Sequence, residues 1–126
     1  MDKNFIGFHY KRFLEVENKL IYEIENLKCS YKTSKRPVLE IDSLKIERNS
    51  IVFFIGASGS GKSTILESLG LMNNTVIKNS QTIFKLNIAK QSIDLLEIWR
   101  NSKLRTHLRN ELFSFIFQSN NLFNSM

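Results

Sequence analysis

Apolar and polar positions divide the chain into segments of different character. Near the start, Phe5, His9, Phe13, Val16 and Leu20 step by three or four, the spacing of an amphipathic helix. Residues 1–18 read as an extension that packs its aromatic side chains on the domain, in preference to a membrane-surface helix. Residues 20–27 form a strand candidate, followed by a polar, turn-rich stretch up to Pro37, which disfavours helix just before it. Residues 38–46 place Leu39 and Ile41, then Leu44 and Ile46, on either side of a short break at Asp42 and Ser43, the pattern of strands with one buried face.

Residues 51–55, Ile-Val-Phe-Phe-Ile, behave differently. They are an unbroken run of β-branched and aromatic side chains, which predicts a strand covered on both faces. Glycines then interrupt the run. Residues 62–72 predict a helix with Ile65, Leu66, Leu69 and Met72 on one side. Residues 73–89 suggest turns and short strands, and 94–110 one amphipathic helix in which Trp99 is a core anchor. Residues 112–117 make a last strand candidate before a polar end.

Composition narrows the class. The 126 residues are 42% hydrophobic and 24% charged, which suits one globular domain rather than a disordered tail. Ten Phe point to an aromatic core or to a face meant to be covered. The net charge of +6 is spread along the chain with no dense basic tract, so a solvated basic surface is expected and no nucleic-acid partner. Cys29 is the single cysteine, which excludes an internal disulfide and suits a reducing compartment. Asp2 and Lys3 follow Met1 with no long apolar core, unlike a secretory signal. Membrane association is therefore expected through a partner.

The strongest chemical signal is Gly56-Ala57-Ser58-Gly59-Ser60-Gly61-Lys62-Ser63, a complete G-x-x-x-x-G-K-[ST] phosphate loop. Its glycines let the backbone approach phosphates closely, and its amides, with the positive end of the next helix, form an anion nest. Lys62 is placed to reach the β- and γ-phosphates, and the Ser63 hydroxyl to meet Mg²⁺. The order strand, glycine loop, helix is the context this motif requires. By itself the loop leaves kinase, GTPase and transporter ATPase open.

Three further features bear on that choice. Some fifty residues precede the loop, Tyr31 lies upstream of it, and Phe115-Ile116-Phe117-Gln118 puts a glutamine directly after a strand candidate. With these, the sequence resembles the nucleotide-binding domain of ABC transporters, in particular the lipoprotein-releasing and macrolide-export type. The matching residues are Tyr22-Glu23-Ile24-Glu25-Asn26-Leu27, Tyr31, Val38-Leu39, the cradle from Gly56 through Ser63 to Thr64, Leu108-Arg109-Asn110, and Phe115 to Gln118.

The resemblance implies an α/β fold: a P-loop NTPase-like parallel sheet core with an N-terminal antiparallel β subdomain, here incomplete. Residues 19–126 would be the N-terminal part of that domain. It implies ATP and Mg²⁺ as ligands, with Tyr31 stacking on adenine and Gln118 contacting Mg²⁺ and the attacking water. A transmembrane permease subunit and a second, head-to-tail nucleotide-binding domain would be the partners. The location would be cytoplasmic, at the inner face of the cell membrane.

Other family features do not occur. Only Asp2, Asp42 and Asp94 are present, and none ends an apolar strand as the magnesium-binding Asp-Glu pair would. Ser-Gly-Gly is absent, and neither His9 nor His107 suits the switch histidine. Asn49-Ser50 stands where the family usually has a glycine turn, and residues 75–89 lack the usual glycine-marked hairpin. The expectation is a chain that stops before its hydrolytic motifs, binds nucleotide, turns over little and is marginally stable. A small metabolite kinase and a non-catalytic nucleotide-binding module are the alternative readings.

Overall fold

The computed structural model describes residues 18–117. Four strands, β1 (Leu20–Cys29), β2 (Leu39–Glu47), β3 (Ile83–Ile88) and β4 (Gln91–Asp94), form one sheet in the order β2-β1-β3-β4. Every pairing in it is antiparallel. Three helices accompany the sheet: α1 (Lys62–Leu69), α2 (Leu95–Ile98) and α3 (Ser102–Leu112).

The core lies on the inner face. Tyr22, Ile24, Leu27 and Cys29 of β1 and Phe84 and Leu86 of β3 pack with Ile65, Leu71, Leu95, Leu96 and Trp99. Tyr22, Phe84 and Trp99 form an aromatic row, with centroid separations of 6.1 and 5.6 Å. The Tyr22 hydroxyl donates to the Leu69 carbonyl at the end of α1. Each large side chain fully buried in this way contributes roughly 1.5–3 kcal/mol.

The break expected at Asp42 and Ser43 is a change of phase within a continuous strand. Inward positions on β2 move from Leu39 and Ile41 to Leu44 and Ile46, and those on β1 from Leu27 and Cys29 to Tyr22 and Ile24. The two strands stay in register through this point, Glu25 opposite Ser43 and Leu27 opposite Ile41, and Asn26, at φ 50°, marks the change of phase on β1; the register shift between the strands lies at Leu20/Tyr22. Asn is among the few residues that adopt the left-handed region at low cost. The Asn26 amide donates to the Gln81 carbonyl, and the Thr82 hydroxyl to the Asn26 carbonyl at 2.7 Å.

Other expectations need correcting. Residues 51–55 join no strand among the described residues, and Ile51, Phe53 and Ile55 are 85%, 80% and 94% exposed. Burial on two faces needs elements on both sides, whereas Phe54 alone of this run packs against the described core. The described sheet is wholly antiparallel, so the parallel core is absent from it. Residues 113–117 likewise have no strand partner, and α3 occupies the residues up to Leu112.

The single helix expected over 94–110 is two. Asp94 caps α2 by accepting from the Leu96 amide, and Asn101 caps α3 by accepting from the Leu104 amide at 3.1 Å. A second cap of this kind starts a new helix instead of extending the old one. α1 ends at Leu69, three residues before the expected end, and the chain leaves it through Leu71 at φ 58°. The hairpin between β3 and β4 turns without glycine, at Ala89 (φ 50°) and Lys90. Asn49, at φ 56°, does the work of the glycine usual before the loop. Among the described residues no helix is long and apolar enough to cross a membrane.

Candidate functional site

The glycine loop leads directly into α1. Gly61 is the N-cap residue, in the left-handed region at φ 96° and ψ 11°, and the first turn has neither a side-chain cap nor an acidic residue. The first helical hydrogen bond runs from the Ile65 amide to the Gly61 carbonyl at 2.9 Å. The amides of Lys62, Ser63 and Thr64 therefore have no intrahelical acceptor. Three N–H groups at the positive end of the helix are thus available to an anion without a competing carboxylate in the first turn.

The glycines are explained by their surroundings. A Cβ on Gly61 would sit 2.9 Å from Leu39 Cδ1 and 3.1 Å from the Val38 carbonyl oxygen, so the start of β2 presses on the loop. Gly59 adopts φ 80° in open space. The Ser60 amide donates to the Ala57 carbonyl at 3.2 Å and makes the loop a tight turn. Lys62 folds back across it, with its ammonium donating to the Gly56 carbonyl.

A cleft of about 530 Å³ opens beside the loop. Tyr31, Val38, Ser58, Gly59, Gly61, Lys62, Ser63 and Thr64 line it. Six of the loop and helix residues named from the sequence are thus brought to one cavity with Tyr31. Gly56, Ala57 and Ser60 shape the loop without lining the cleft. Tyr31 is 46% exposed. Ser63 is exposed at the mouth, while Thr64 is buried and anchors the first turn from below. Gln118 lies outside the described residues.

Two contributors had no clear signal in the sequence as site residues. Val38 forms a wall of the cleft, brought there when its amide donates to the Cys29 carbonyl at 2.8 Å. Asn73 lies under the first turn, donating to the Thr64 carbonyl at 3.1 Å and the Ser68 hydroxyl at 2.9 Å. No motif marks Asn73, and in the sequence Val38 is only a residue matching the family, with no site role. Cys29, buried beside Ser68, is a packing residue: burial pushes its thiol up, partly offset by hydrogen bonds with Ser68 and Thr75.

No group of three His, Cys, Asp or Glu side chains able to hold a metal ion occurs among the described residues. The Ser63 hydroxyl at the cleft mouth suits a magnesium ion that arrives with phosphate oxygens and keeps most of its waters.

Comparison with known proteins identifies the family. Residues 39–126 match the family model described as ABC transporter. The chain is 37% identical over 100 residues to the macrolide export ATP-binding/permease protein MacB 1 of Yersinia pestis, covering 78% of this chain and 14% of that protein. It is 31% identical over 109 residues to the lipoprotein-releasing system ATP-binding protein LolD of Wigglesworthia glossinidia brevipalpis, covering 85% of this chain and 43% of that protein. The phosphate import ATP-binding protein PstB of Mycoplasma mobile is 39% identical over 61 residues, 48% of this chain and 22% of that protein. The chain spans less than half the length of each of these relatives.

Proposed function

Because the chain belongs to the ABC transporter family, we propose that it grips MgATP for an ATP-binding transporter subunit, phosphates at the loop and adenine at Tyr31. The observation that carries this reading is the shared cleft, with Tyr31 on one side and the start of α1 on the other.

In this reading the triphosphate sits against the Lys62, Ser63 and Thr64 amides, where helix dipole and N–H groups act together. The Lys62 ammonium exchanges the Gly56 carbonyl for phosphate oxygens, replacing a neutral acceptor by an anionic one. Charge-assisted bonds of this kind contribute about 1.5–3 kcal/mol each. Tyr31 stacks on the base, a contact worth about 1–3 kcal/mol. Mg²⁺ would be held by the Ser63 hydroxyl together with phosphate oxygens, and would supply neutralising charge as phosphoryl transfer proceeds.

Hydrolysis, a transmembrane permease partner and a head-to-tail second nucleotide-binding domain belong to the same proposal. In it Gln118 faces the metal and the attacking water. The names of the macrolide-export and lipoprotein-releasing relatives support ATP binding coupled to export, and the name of the phosphate-import relative supports coupling to import.

Calorimetric titration of the chain with MgATP tests the central claim. Lys62→Ala is expected to weaken binding about tenfold or more, from the loss of one charge-assisted contact. Tyr31→Ala is expected to weaken MgATP but leave inorganic tripolyphosphate unchanged. MgATP affinity untouched by Lys62→Ala would refute the phosphate assignment.

A further inference from the structure

Beneath the cleft, one amide makes four hydrogen bonds. The Asn73 Nδ2 group donates to the Thr64 carbonyl at 3.1 Å and the Ser68 hydroxyl at 2.9 Å. Its Oδ1 accepts from the Thr75 amide at 3.3 Å and the Thr75 hydroxyl at 3.0 Å. A carboxamide offers two donors and two acceptor sites, so every position is used. Thr64, Ser68 and Thr75 are buried, and polar groups in such places need their partners.

The bonds lead in two directions. Thr64 belongs to the first turn of α1, whose amides face the phosphate position. The Thr75 carbonyl accepts from the Ser30 amide at 2.9 Å, and Ser30 directly precedes Tyr31. Residues Cys29 and Val76 bridge alongside. Tyr31 and Asn73 also border a second cleft of about 360 Å³ on the side away from the loop. One side chain therefore ties the phosphate-facing helix start to the strand end that carries the aromatic ring.

We propose that Asn73 is a positioning residue that sets the separation between Tyr31 and the start of α1, an inference that rests on the nucleotide-binding reading above. A nucleoside triphosphate engages both ends at once, so it is sensitive to their separation. A ligand with phosphates alone engages one end and is not. Asp at this position matches Asn in size and keeps both acceptors, but loses both donors to Thr64 and Ser68. Its carboxylate then opposes the Thr64 carbonyl and loosens the tie.

The test titrates MgATP and magnesium tripolyphosphate into the full chain, into Asn73→Asp, into Tyr31→Ala and into the double variant. Asn73→Asp is expected to weaken MgATP about fivefold to tenfold, the scale of a misaligned stacking contact. Tripolyphosphate affinity should stay within about twofold, and the double variant should lose no more than Tyr31→Ala alone, as coupled positions do. Equal losses for both ligands, or additive losses in the double variant, would overturn the proposal. Should Asn73→Asp fail to fold, Thr75→Val removes one donor to Oδ1 at similar volume and carries the same comparison. Lys62→Ala separates the two readings. If it weakens neither ligand, nucleotide binding itself is wrong; if it weakens both while Asn73→Asp weakens neither, only the positioning role falls.

Discussion

Substituting Gly61 by Ala places a methyl group at the tightest point of the loop, and the structure fixes the size of the effect. At φ 96° the new residue sits in the left-handed region, which costs a non-glycine residue about 1–2 kcal/mol. Its Cβ also meets Leu39 Cδ1 at 2.9 Å and the Val38 carbonyl oxygen at 3.1 Å. The Leu39 side chain can rotate away. The Val38 carbonyl cannot move freely, because the amide of the same residue is held by Cys29 at 2.8 Å. Overpacking of this kind costs about 1–3 kcal/mol.

The sum, about 2–5 kcal/mol, is a large share of a typical domain stability of about 5–15 kcal/mol. Gly59→Ala is the internal control. It has φ 80° but nothing within 4 Å of the added Cβ, so it carries the backbone cost alone, about 1–2 kcal/mol. Urea denaturation followed by the fluorescence of Trp99 reads both variants in one assay. Gly61→Ala should lie below Gly59→Ala by about the packing increment of 1–3 kcal/mol. Equal destabilisation, or a worse Gly59→Ala, would refute the contact between the loop and β2 as the reason for glycine at 61.

Further outcomes follow from the core and its titrating groups. Phe84 is fully buried between Tyr22 and Trp99, so Phe84→Ala should cost about 3–5 kcal/mol, read as a lowered urea midpoint. Cys29 and Tyr22 are both held above their ordinary values of 9.0 and 10.0 by burial. The folded chain then binds more protons than the unfolded chain above those values, so stability is complete below about pH 9 and falls as pH rises further. Denaturation midpoints that stay flat from about pH 8 to about pH 11 would contradict the burial of these groups.

Local patterns carried most of what the sequence revealed. The apolar pairs Leu39/Ile41 and Leu44/Ile46 located β2, because a half-buried strand writes its inner face into every second residue, but in the sequence the change of phase between the pairs reads as a break in the strand. The glycine loop and α1 were legible for a similar reason: their chemistry is contained in eight consecutive residues. What failed depended on distant partners. Ile51 to Ile55 has the composition of a doubly covered strand, but coverage is a property of other elements. Asn26 and Ala89 both adopt positive φ, and neither announces this as glycine would. The cap at Asn101 was not read from the sequence, and it divides the helix expected over 94–110. Asn73 had no signal as a site residue: its two bonds with Thr75 are local, two residues on, but those to Thr64 and Ser68 require the chain to turn back under α1.

The strand order also has a consequence for how the site is assembled in time. β3 pairs with β1, matching Leu86 with Tyr22, while β2, the glycine loop and α1 all lie between them in sequence. Bringing β1 and β3 together closes a ring of about sixty residues, which carries a chain-closure entropy cost and favours slow, late pairing. The β1–β2 hairpin closes a far shorter ring and is placed to form early. A nucleotide that requires both Tyr31 and α1 would then meet a finished pocket only after the last long-range pairing, and refolding watched through ligand binding should lag behind refolding watched through hairpin formation.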